Sequence, residues 1–252
     1  MRIGFIGTGR ITRRMVGALA GDGHEIMLTR RSESVSSELA AARRDVTVVD
    51  DPQAVVDRGD VIFVCLAADP ARKVLPTLAF RADQAVVSVM AGIGIDELRA
   101  VVAPATDLCI TIPMPFVEQG GCPLPTYPRS AALESLLGAR NPVIPVASED
   151  ALAPFWAVSG TMASVLAELQ TMVSWLGDRI GEPAAAERYV AHLYGGYLGT
   201  LEKDGNGRLE AALGDLSIEG GLNATLRERV TASGHYEKLR SALDVLHARV
   251  KG

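Results

Sequence analysis

The sequence is poor in cysteine, and this excludes several classes of protein at the outset. Its 252 residues include three cysteines, Cys65, Cys109 and Cys122, an odd number without paired spacing. A disulfide framework needs pairs, and a zinc site usually shows two ligands a few residues apart. We therefore expect neither a disulfide framework nor a metal site, and this cysteine usage fits a reducing, cytoplasmic location.

An excess of positive charge is also lacking. The chain has 25 Lys and Arg against 30 Asp and Glu, a formal net charge of −5, so it shows no basic footprint for nucleic acid or an anionic membrane. The short apolar run at the N-terminus meets Arg10, Arg13 and Arg14, which argues against a signal peptide. The longest uncharged segment lies between Asp150 and Glu168, and its proline, glycine and hydroxyl residues predict a buried helix rather than a membrane span.

Aromatic residues are scarce as well, at 5% of a chain that is 48% hydrophobic. The apolar mass is therefore aliphatic, made of Ala, Val, Leu and Ile. A soluble chain of this composition either buries an unusually complete core or covers apolar surface in an oligomer. The composition leaves both open.

The first half of the sequence alternates between strand and helix patterns. Apolar runs typical of strands occupy residues 2–6, 24–28, 46–49, 60–66, 86–90, 108–112 and 142–146. Helical stretches separate most of them, and strands joined by helices form parallel sheets through crossover connections. The pattern predicts an α/β fold in which residues 1–150 form a Rossmann-type doubly wound parallel sheet.

The strand pattern stops near Glu149, and the rest of the sequence is helical. We expect long helices over 149–180 and 184–201, a short helix over 209–213, and helices over 222–232 and 236–250. Residues 151–252 are therefore predicted to form an all-helical domain. The uncharged stretch and its small residues suit close packing between subunits, so we expect a homodimer formed through these helices.

The first turn of the chain indicates a nucleotide-binding site. In Gly7-Thr8-Gly9-Arg10-Ile11, a strand leads into two glycines and then into a helix. The first glycine permits a tight turn, and the second lets the backbone approach a pyrophosphate at the positive end of the helix. Thr12 stands where glycine or alanine is usual and predicts slightly looser packing of helix on strand. An ordinary strand-to-helix turn is the alternative interpretation.

The residues after the second strand indicate which dinucleotide binds. An NAD site places Asp or Glu there to bind the ribose hydroxyls, whereas this chain has Thr29, Arg30, Arg31 and Ser32. Guanidinium and hydroxyl groups can hold the 2′-phosphate of NADP through charge-assisted hydrogen bonds. The sequence therefore favours NADP over NAD, although the two arginines could instead simply be solvated in a turn.

Six short motifs together resemble the pyrroline-5-carboxylate reductase family over nearly the whole chain. They are Gly4-Phe5-Ile6-Gly7-Thr8-Gly9, Asp60-Val61-Ile62-Phe63, Ser88-Val89-Met90-Ala91-Gly92-Ile93, Met114-Pro115, Ser159-Gly160-Thr161 and Ser217-Ile218-Glu219-Gly220-Gly221. The resemblance implies a Rossmann domain with a helical dimerisation domain. It also implies cofactor contacts at Leu66, Ala67, Ala91 and Gly92, and substrate contacts at Met114, Pro115, Ser159, Gly160, Thr161, Gly220, Gly221 and Asn223.

The sequence departs from the family pattern where the substrate would bind. Ala67 and Ala68 replace Lys-Pro after the fourth strand, and two threonines associated with the substrate carboxylate align with Leu222 and Asn223. The cofactor half thus matches better than the substrate half. We expect hydride transfer from NADPH to a C=N or related C=O group, on a substrate other than pyrroline-5-carboxylate.

A ketone substrate would need a proton donor, whereas an imine that is already protonated needs little acid catalysis. The candidates are Glu118, Tyr127, His192, Tyr194 and Glu219. Because Glu118 and Glu219 replace family residues near the substrate, they are the preferred catalytic candidates.

Two other functions are compatible with the sequence. A β-hydroxyacid dehydrogenase would use a lysine, and Lys203 follows a suggestive glycine-rich stretch, but a lysine at a helix end also favours the helix dipole. A protein that binds NADPH without turnover, as a sensor or regulator, would explain the altered substrate segment.

Overall fold

The computed structural model describes residues 1–30 and 33–251. Arg31 and Ser32, both predicted to bind the cofactor phosphate, lie outside the described residues. The chain divides into two compact units, Met1–Trp156 with the chain end from Val250, and Ala157–Arg249. The sequence placed the boundary at residue 150, shortly before this division.

The first unit is built on one sheet. Among the described residues its strands are β1 (Arg2–Ile6), β2 (Glu25–Thr29), β3 (Val46–Val49), β4 (Val61–Val64), β5 (Ala85–Ser88), β6 (Asp107–Thr111), β7 (Leu124–Tyr127) and β8 (Val143–Pro145). Their order is β3-β2-β1-β4-β5-β6-β7-β8, and β6–β7 is the antiparallel pair. The order reverses between β1 and β4, which is the point at which doubly wound sheets bind ligands. The predicted fold class is confirmed.

The helices of the described chain complete both units. They are α1 (Arg10–Leu19), α2 (Glu33–Ala42), α3 (Pro52–Arg58), α4 (Ala68–Val74), α5 (Ile95–Val102), α6 (Ala131–Leu137), α7 (Glu149–Ser159), α8 (Met162–Ile180), α9 (Pro183–Thr200), α10 (Arg208–Leu216), α11 (Leu222–Ala232) and α12 (His235–Lys251).

Both faces of the sheet are buried, which explains the continuous apolar runs of its central strands. Phe5 and Phe63 lie on the face covered by α1, α2 and α6, and their rings stack with centroids 4.9 Å apart. Ile62 and Val64 lie on the opposite face, against α3, α4 and α5. Burying these side chains from water is the main force that holds helices on both sides of the sheet.

One strand, β7, was not predicted. Its sequence Leu124-Pro125-Thr126-Tyr127 includes a proline, which cannot donate a hydrogen bond to a neighbouring strand and obscures the strand pattern. The strand nevertheless forms, because Thr111 of β6 pairs with Thr126 and Leu124 pairs with Val143 of β8. Local sequence carries little information about pairing of this kind, which depends on distant residues.

The second unit is helical, as predicted, but its first long helix is not buried within the chain. The stretch Glu149–Ile180 is long and apolar enough, by length and composition, to cross a membrane, and 17% of its most apolar window is buried. Within a single chain the expectation of a buried helix is therefore wrong for α8, whereas α7 buries Leu152, Ala153 and Ala157. The physical reason is that α8 packs on α9 over one side only, with Gly177 in close contact with Pro183.

Candidate functional site

The glycine turn after β1 has the conformation that a dinucleotide requires. Gly7 has φ +98°, and a Cβ at this position would lie 2.6 Å from the carbonyl oxygen of Cys65. No other residue fits there without strain. A Cβ on Gly9, by contrast, would meet nothing within 4 Å. The second glycine therefore leaves open space beside the backbone, which is the space that a pyrophosphate needs.

Three threonines hold this turn in place. The Thr29 hydroxyl accepts a hydrogen bond from the Gly7 amide at 3.0 Å, and the Thr8 hydroxyl donates to the Thr29 carbonyl. Thr12 is fully buried and donates to the Gly7 carbonyl at 2.7 Å. The looser packing expected from Thr12 is therefore wrong, since its hydroxyl bonds to the turn and its methyl group is buried.

The N-terminus of α1 is suited to bind an anion. The N-cap residue Gly9 has no side chain to cap this end, the Thr12 hydroxyl bonds only the Gly9 amide at 3.4 Å, and the first turn has no acidic residue. The amides of Arg10, Ile11 and Thr12 have no partner within the helix, because the first intrahelical bond is made by Arg13 to Gly9. These amides and the helix dipole favour a phosphate group at the position predicted for the pyrophosphate.

A cavity of about 550 Å³ opens beside this turn. Four of the predicted cofactor residues, Gly7, Thr29, Arg30 and Leu66, line it together. Within it the Arg30 guanidinium forms an ion pair with the carboxylate of Asp50, one residue beyond β3. Asp50 was not identified from the sequence, because nothing local to it indicates that β3 ends beside β2. The volume and the apolar floor suit an adenosine group.

A second turn, between β5 and α5, is held by the side chains of Arg72 and Glu149, which the sequence did not indicate. Ala91 and Gly92 lie in the turn between β5 and α5, and Arg72 of α4 donates to the Gly92 carbonyl at 2.9 Å. Arg72 also pairs with Glu97 at 2.7 Å. Glu149 accepts a hydrogen bond from the Ile95 amide at 2.9 Å and so caps α5. This turn is therefore fixed from two directions.

Met114 and Pro115, predicted to contact substrate, follow β6 in the first unit. Pro115 opens a short 3-10 turn, Pro115–Glu118. The Met114 amide lies 3.3 Å from the buried Sγ of Cys122, which anchors the loop. The next two side chains, Phe116 and Val117, are also apolar.

Glu118, one of the two preferred catalytic candidates, is engaged in packing contacts. Its carboxylate lies 2.9 Å from Arg14 and 3.5 Å from Arg43, and it is about a third exposed. Gly17 of α1 leaves the space that this carboxylate occupies, since a Cβ there would overlap it. These contacts tie the loop after β6 to α1 and favour a structural role for Glu118.

The remaining substrate candidates lie in the second unit. Ser159, Gly160 and Thr161 form the turn between α7 and α8, where the Thr161 hydroxyl donates to Val158. Gly220, with φ +72°, and Gly221 precede α11, and Asn223 is exposed in its first turn. Glu219, the second catalytic candidate, lines a cavity of about 530 Å³ with Ser217, Arg227, Glu228 and Thr231.

The other candidates pack on the core, have structural partners or lie on the surface. Tyr127, at the end of β7, is partly buried against the apolar core. Tyr194 donates to the Met172 sulfur at 3.0 Å, and His192 is exposed on α9. Lys203 donates to the Leu201 carbonyl at 3.2 Å just beyond α9, where a cation stabilises the helix end. This contact accounts for Lys203 without a role in dehydrogenation.

The cysteines have the properties of core residues. Burial raises the pKa of the Cys65 thiol to about 12 and that of Cys109 to about 11, so neither is a nucleophile at neutral pH. Across the described ranges no group of three or more His, Cys, Asp and Glu residues is placed to hold a metal ion.

The comparisons with known proteins agree with this geometry. Residues 2–92 match a family model described as NADP oxidoreductase, coenzyme F420-dependent, and no curated protein matches the sequence. The structure is similar to the pyrroline-5-carboxylate reductase of Streptococcus pyogenes, with a TM-score of 0.79, 20% identity, and coverage of 100% of this chain and 98% of that one.

Two further structures extend the likeness. The pyrroline carboxylate reductase of Plasmodium falciparum, solved with NADP bound, gives a TM-score of 0.83 at 13% identity, covering 100% of this chain and 97% of that one. An imine reductase variant from Myxococcus stipitatus gives a TM-score of 0.58 at 19% identity, covering 100% of this chain and 99% of that one. The chain therefore has the fold of the pyrroline-5-carboxylate reductases, which confirms the fold that its sequence motifs imply, and residues 2–92 match a family of NADP oxidoreductases.

Proposed function

We propose that the protein is an NADPH-dependent reductase that transfers hydride to a C=N group, or to a related C=O group, of a small molecule. The observation that carries the proposal is the glycine turn: Gly9 leaves open space at the N-terminus of α1, beside a cavity that Arg30 lines. The similarity to an NADP oxidoreductase family and to reductases of known structure supports the same cofactor.

The residues of the chain would bind and orient the cofactor. The amides after Gly9 would hold the pyrophosphate, and Arg30 with Arg31 and Ser32 would hold the 2′-phosphate. Ala91 and Gly92, fixed by Arg72, lie where the nicotinamide half would rest. When bound, NADPH would supply the hydride, and the apolar loop at Met114 would limit access of water to the reacting carbon.

The substrate is proposed to differ from pyrroline-5-carboxylate. Leu222 and Asn223 follow Gly221, and the Leu222 side chain is 92% exposed. A leucine offers no hydrogen bond to a carboxylate, so this segment favours a substrate that presents an apolar group there. A cyclic or open-chain imine without a carboxylate fits better than an imino acid.

We also propose that the protein is a cytoplasmic homodimer formed through its C-terminal helices. Apolar side chains of α8 and α9 are at least a third exposed: Met162, Val165, Leu166, Met172, Trp175, Ile180, Tyr189, Leu193, Tyr197 and Leu198. A surface of this extent is unfavourable in water, and a second copy presents a matching apolar surface. The free thiols of the described chain fit a reducing compartment.

Light scattering after gel filtration tests the dimer. The wild type is expected at twice the chain mass, and Leu166→Glu/Trp175→Glu is expected to shift it toward the monomer. A wild type that is monomeric, or that partitions into lipid vesicles through the apolar stretch of α8, would contradict the proposal.

The test of activity is direct. The protein is mixed with NADPH and a panel of cyclic imines, ketones and pyrroline-5-carboxylate, and the absorbance of the reduced nicotinamide is followed. Consumption with imines is expected. Binding of NADPH by calorimetry without consumption would support a sensor instead, a function that the altered Leu222-Asn223 segment also fits.

The choice of NADPH has its own test. Arg30→Ala/Arg31→Ala is expected to weaken NADPH binding at least tenfold, at about 1.4 kcal/mol per tenfold, and to leave NADH binding nearly unchanged. A wild type that prefers NADH would contradict the assignment of NADPH as the cofactor.

A further inference from the structure

The cavity beside the glycine turn has two facing walls. One wall comes from the ends of β2 and β3 and carries Arg30 and Asp50, while the other comes from α4 and carries Asp69 and Lys73. Sequence patterns indicate the charged residues of the first wall alone. The second wall adds a cation to the same cavity, on an element that is distant from Arg30 in sequence.

The charges on these walls are unequally compensated. Arg30 is paired with Asp50, so that this pair adds little net positive charge to the cavity. Asp69 lies 3.7 Å from Arg72, which is itself paired with Glu97, and at 91% exposure its charge is screened mainly by solvent. Lys73 forms no ion pair with any described residue. Among the described lining residues, Lys73 is therefore the cation whose ammonium is not held by a carboxylate.

We propose that Lys73 is a second phosphate-binding cation, which determines the preference for a dinucleotide with a phosphate on its adenosine ribose. The proposal rests on the proposed NADPH-dependent function and adds a residue to it. A lysine has a flexible four-carbon chain and three donors, so an exposed position on α4 allows it to reach an anion across the cavity. Lys73 and Arg30 would then hold the phosphate from opposite walls.

A simpler role for Lys73 exists, and it makes a different prediction. Lys73 lies in the last turn of α4, where a cation interacts favourably with the helix dipole. If this were its whole role, its removal would lower stability slightly and would affect the binding of NADPH and NADH equally. The ratio of the two affinities therefore separates the roles.

The experiment measures dissociation constants of the full-length protein for NADPH and NADH by calorimetry. Lys73→Gln is expected to weaken NADPH about tenfold, the effect of losing one charge-assisted hydrogen bond, and NADH by less than about twofold. Lys73→Arg keeps the charge and is expected to restore most of the NADPH affinity. Lys203→Gln, which also removes a lysine at a helix end, is the matched control and should leave both constants unchanged.

Each outcome bears on a separate claim. Equal losses for both dinucleotides in Lys73→Gln, or no loss, would overturn the role of Lys73 while NADPH binding by the wild type stands. A wild type that binds neither dinucleotide would instead overturn the proposed function itself. A selective loss of NADPH affinity that Lys73→Arg repairs supports the proposal.

Discussion

Arg30 and Asp50, which follow adjacent parallel strands, form an ion pair in the wall of the cavity beside the glycine turn. The pair places a carboxylate close to the guanidinium that would bind a phosphate. In NAD-specific sites an acid follows β2 and binds ribose hydroxyls, whereas here it follows β3 and neutralises an arginine. The same type of residue therefore has a different effect on selectivity.

Asp50→Asn is expected to tighten NADPH binding about threefold, because the amide neither neutralises Arg30 nor repels the phosphate. The gain is modest because the Asp50 side chain is 80% exposed and its charge is screened. Calorimetric titration with NADPH and NADH measures it. Weaker binding of NADPH by the variant would show that Asp50 instead orients Arg30 productively.

The two glycines of the turn are expected to respond differently to the same substitution. Gly7→Ala places a methyl group against the Cys65 carbonyl at positive φ, and it should cost about 1–3 kcal/mol of stability. Gly9→Ala meets no protein atom and should keep the thermal midpoint while weakening dinucleotide binding. Thermal unfolding and titration of both variants check this. Equal melting temperatures would contradict the strain at Gly7.

Glu118→Gln separates packing from catalysis. The loss of its charge contact with Arg14 is expected to cost at most about 1 kcal/mol, because the carboxylate is about a third exposed. The turnover number on any reduced substrate should change less than about twofold. A loss of turnover with an unchanged melting temperature would return Glu118 to the list of proton donors.

Glu219→Gln tests the other candidate, which lies in a cavity with Arg227. A protonated imine needs no donor, so reduction of imines is expected to persist in this variant. A ketone would lose about a hundredfold in turnover if Glu219 supplies its proton. Parallel assays on an imine and a ketone of similar size distinguish these outcomes.

Asp60 provides a pH-dependent prediction. Hydrogen bonds from the side chain and backbone of Arg2 lower the pKa of the Asp60 carboxyl. Because its folded pKa lies below the unfolded value, this carboxylate stabilises the protein above the unfolded pKa, and that contribution is lost as pH falls through the folded pKa. Asp60→Asn should therefore lose less stability than wild type on acidification below about pH 4. Urea unfolding at several pH values measures it.

The parts of the fold that could be predicted are those fixed by local pattern. The buried runs of β1 and β4 and the turn at Gly7 are visible in the sequence because burial on both faces and a tight turn each restrict residue type. Glu118 could not be placed, because its contact with Arg14 joins residues 104 positions apart. Lys73 and Asp50 were missed for the same reason, since the walls of the cavity meet only in the folded sheet.

The exposed apolar side of α8 shows another limit of sequence reasoning. The pattern predicted burial, and within one chain that burial does not occur. An apolar pattern predicts that a surface is buried from water, but it does not indicate whether the residues that bury it belong to the same chain. The aliphatic excess of the composition lies partly on this surface.

The Thr29 hydroxyl, bonded to the Gly7 amide, restricts how the cofactor preference could be redesigned. Thr29 is 5% exposed, so an ionised aspartate introduced there to attract NAD would be buried at the base of the glycine turn. A redesign that leaves this threonine in place and changes Arg30 and its neighbours, together with Lys73, would alter the charge of the cavity without disturbing the turn. The residues proposed to select the cofactor and the residues that hold the glycine turn can thus be varied separately, provided that Thr29 is left unchanged.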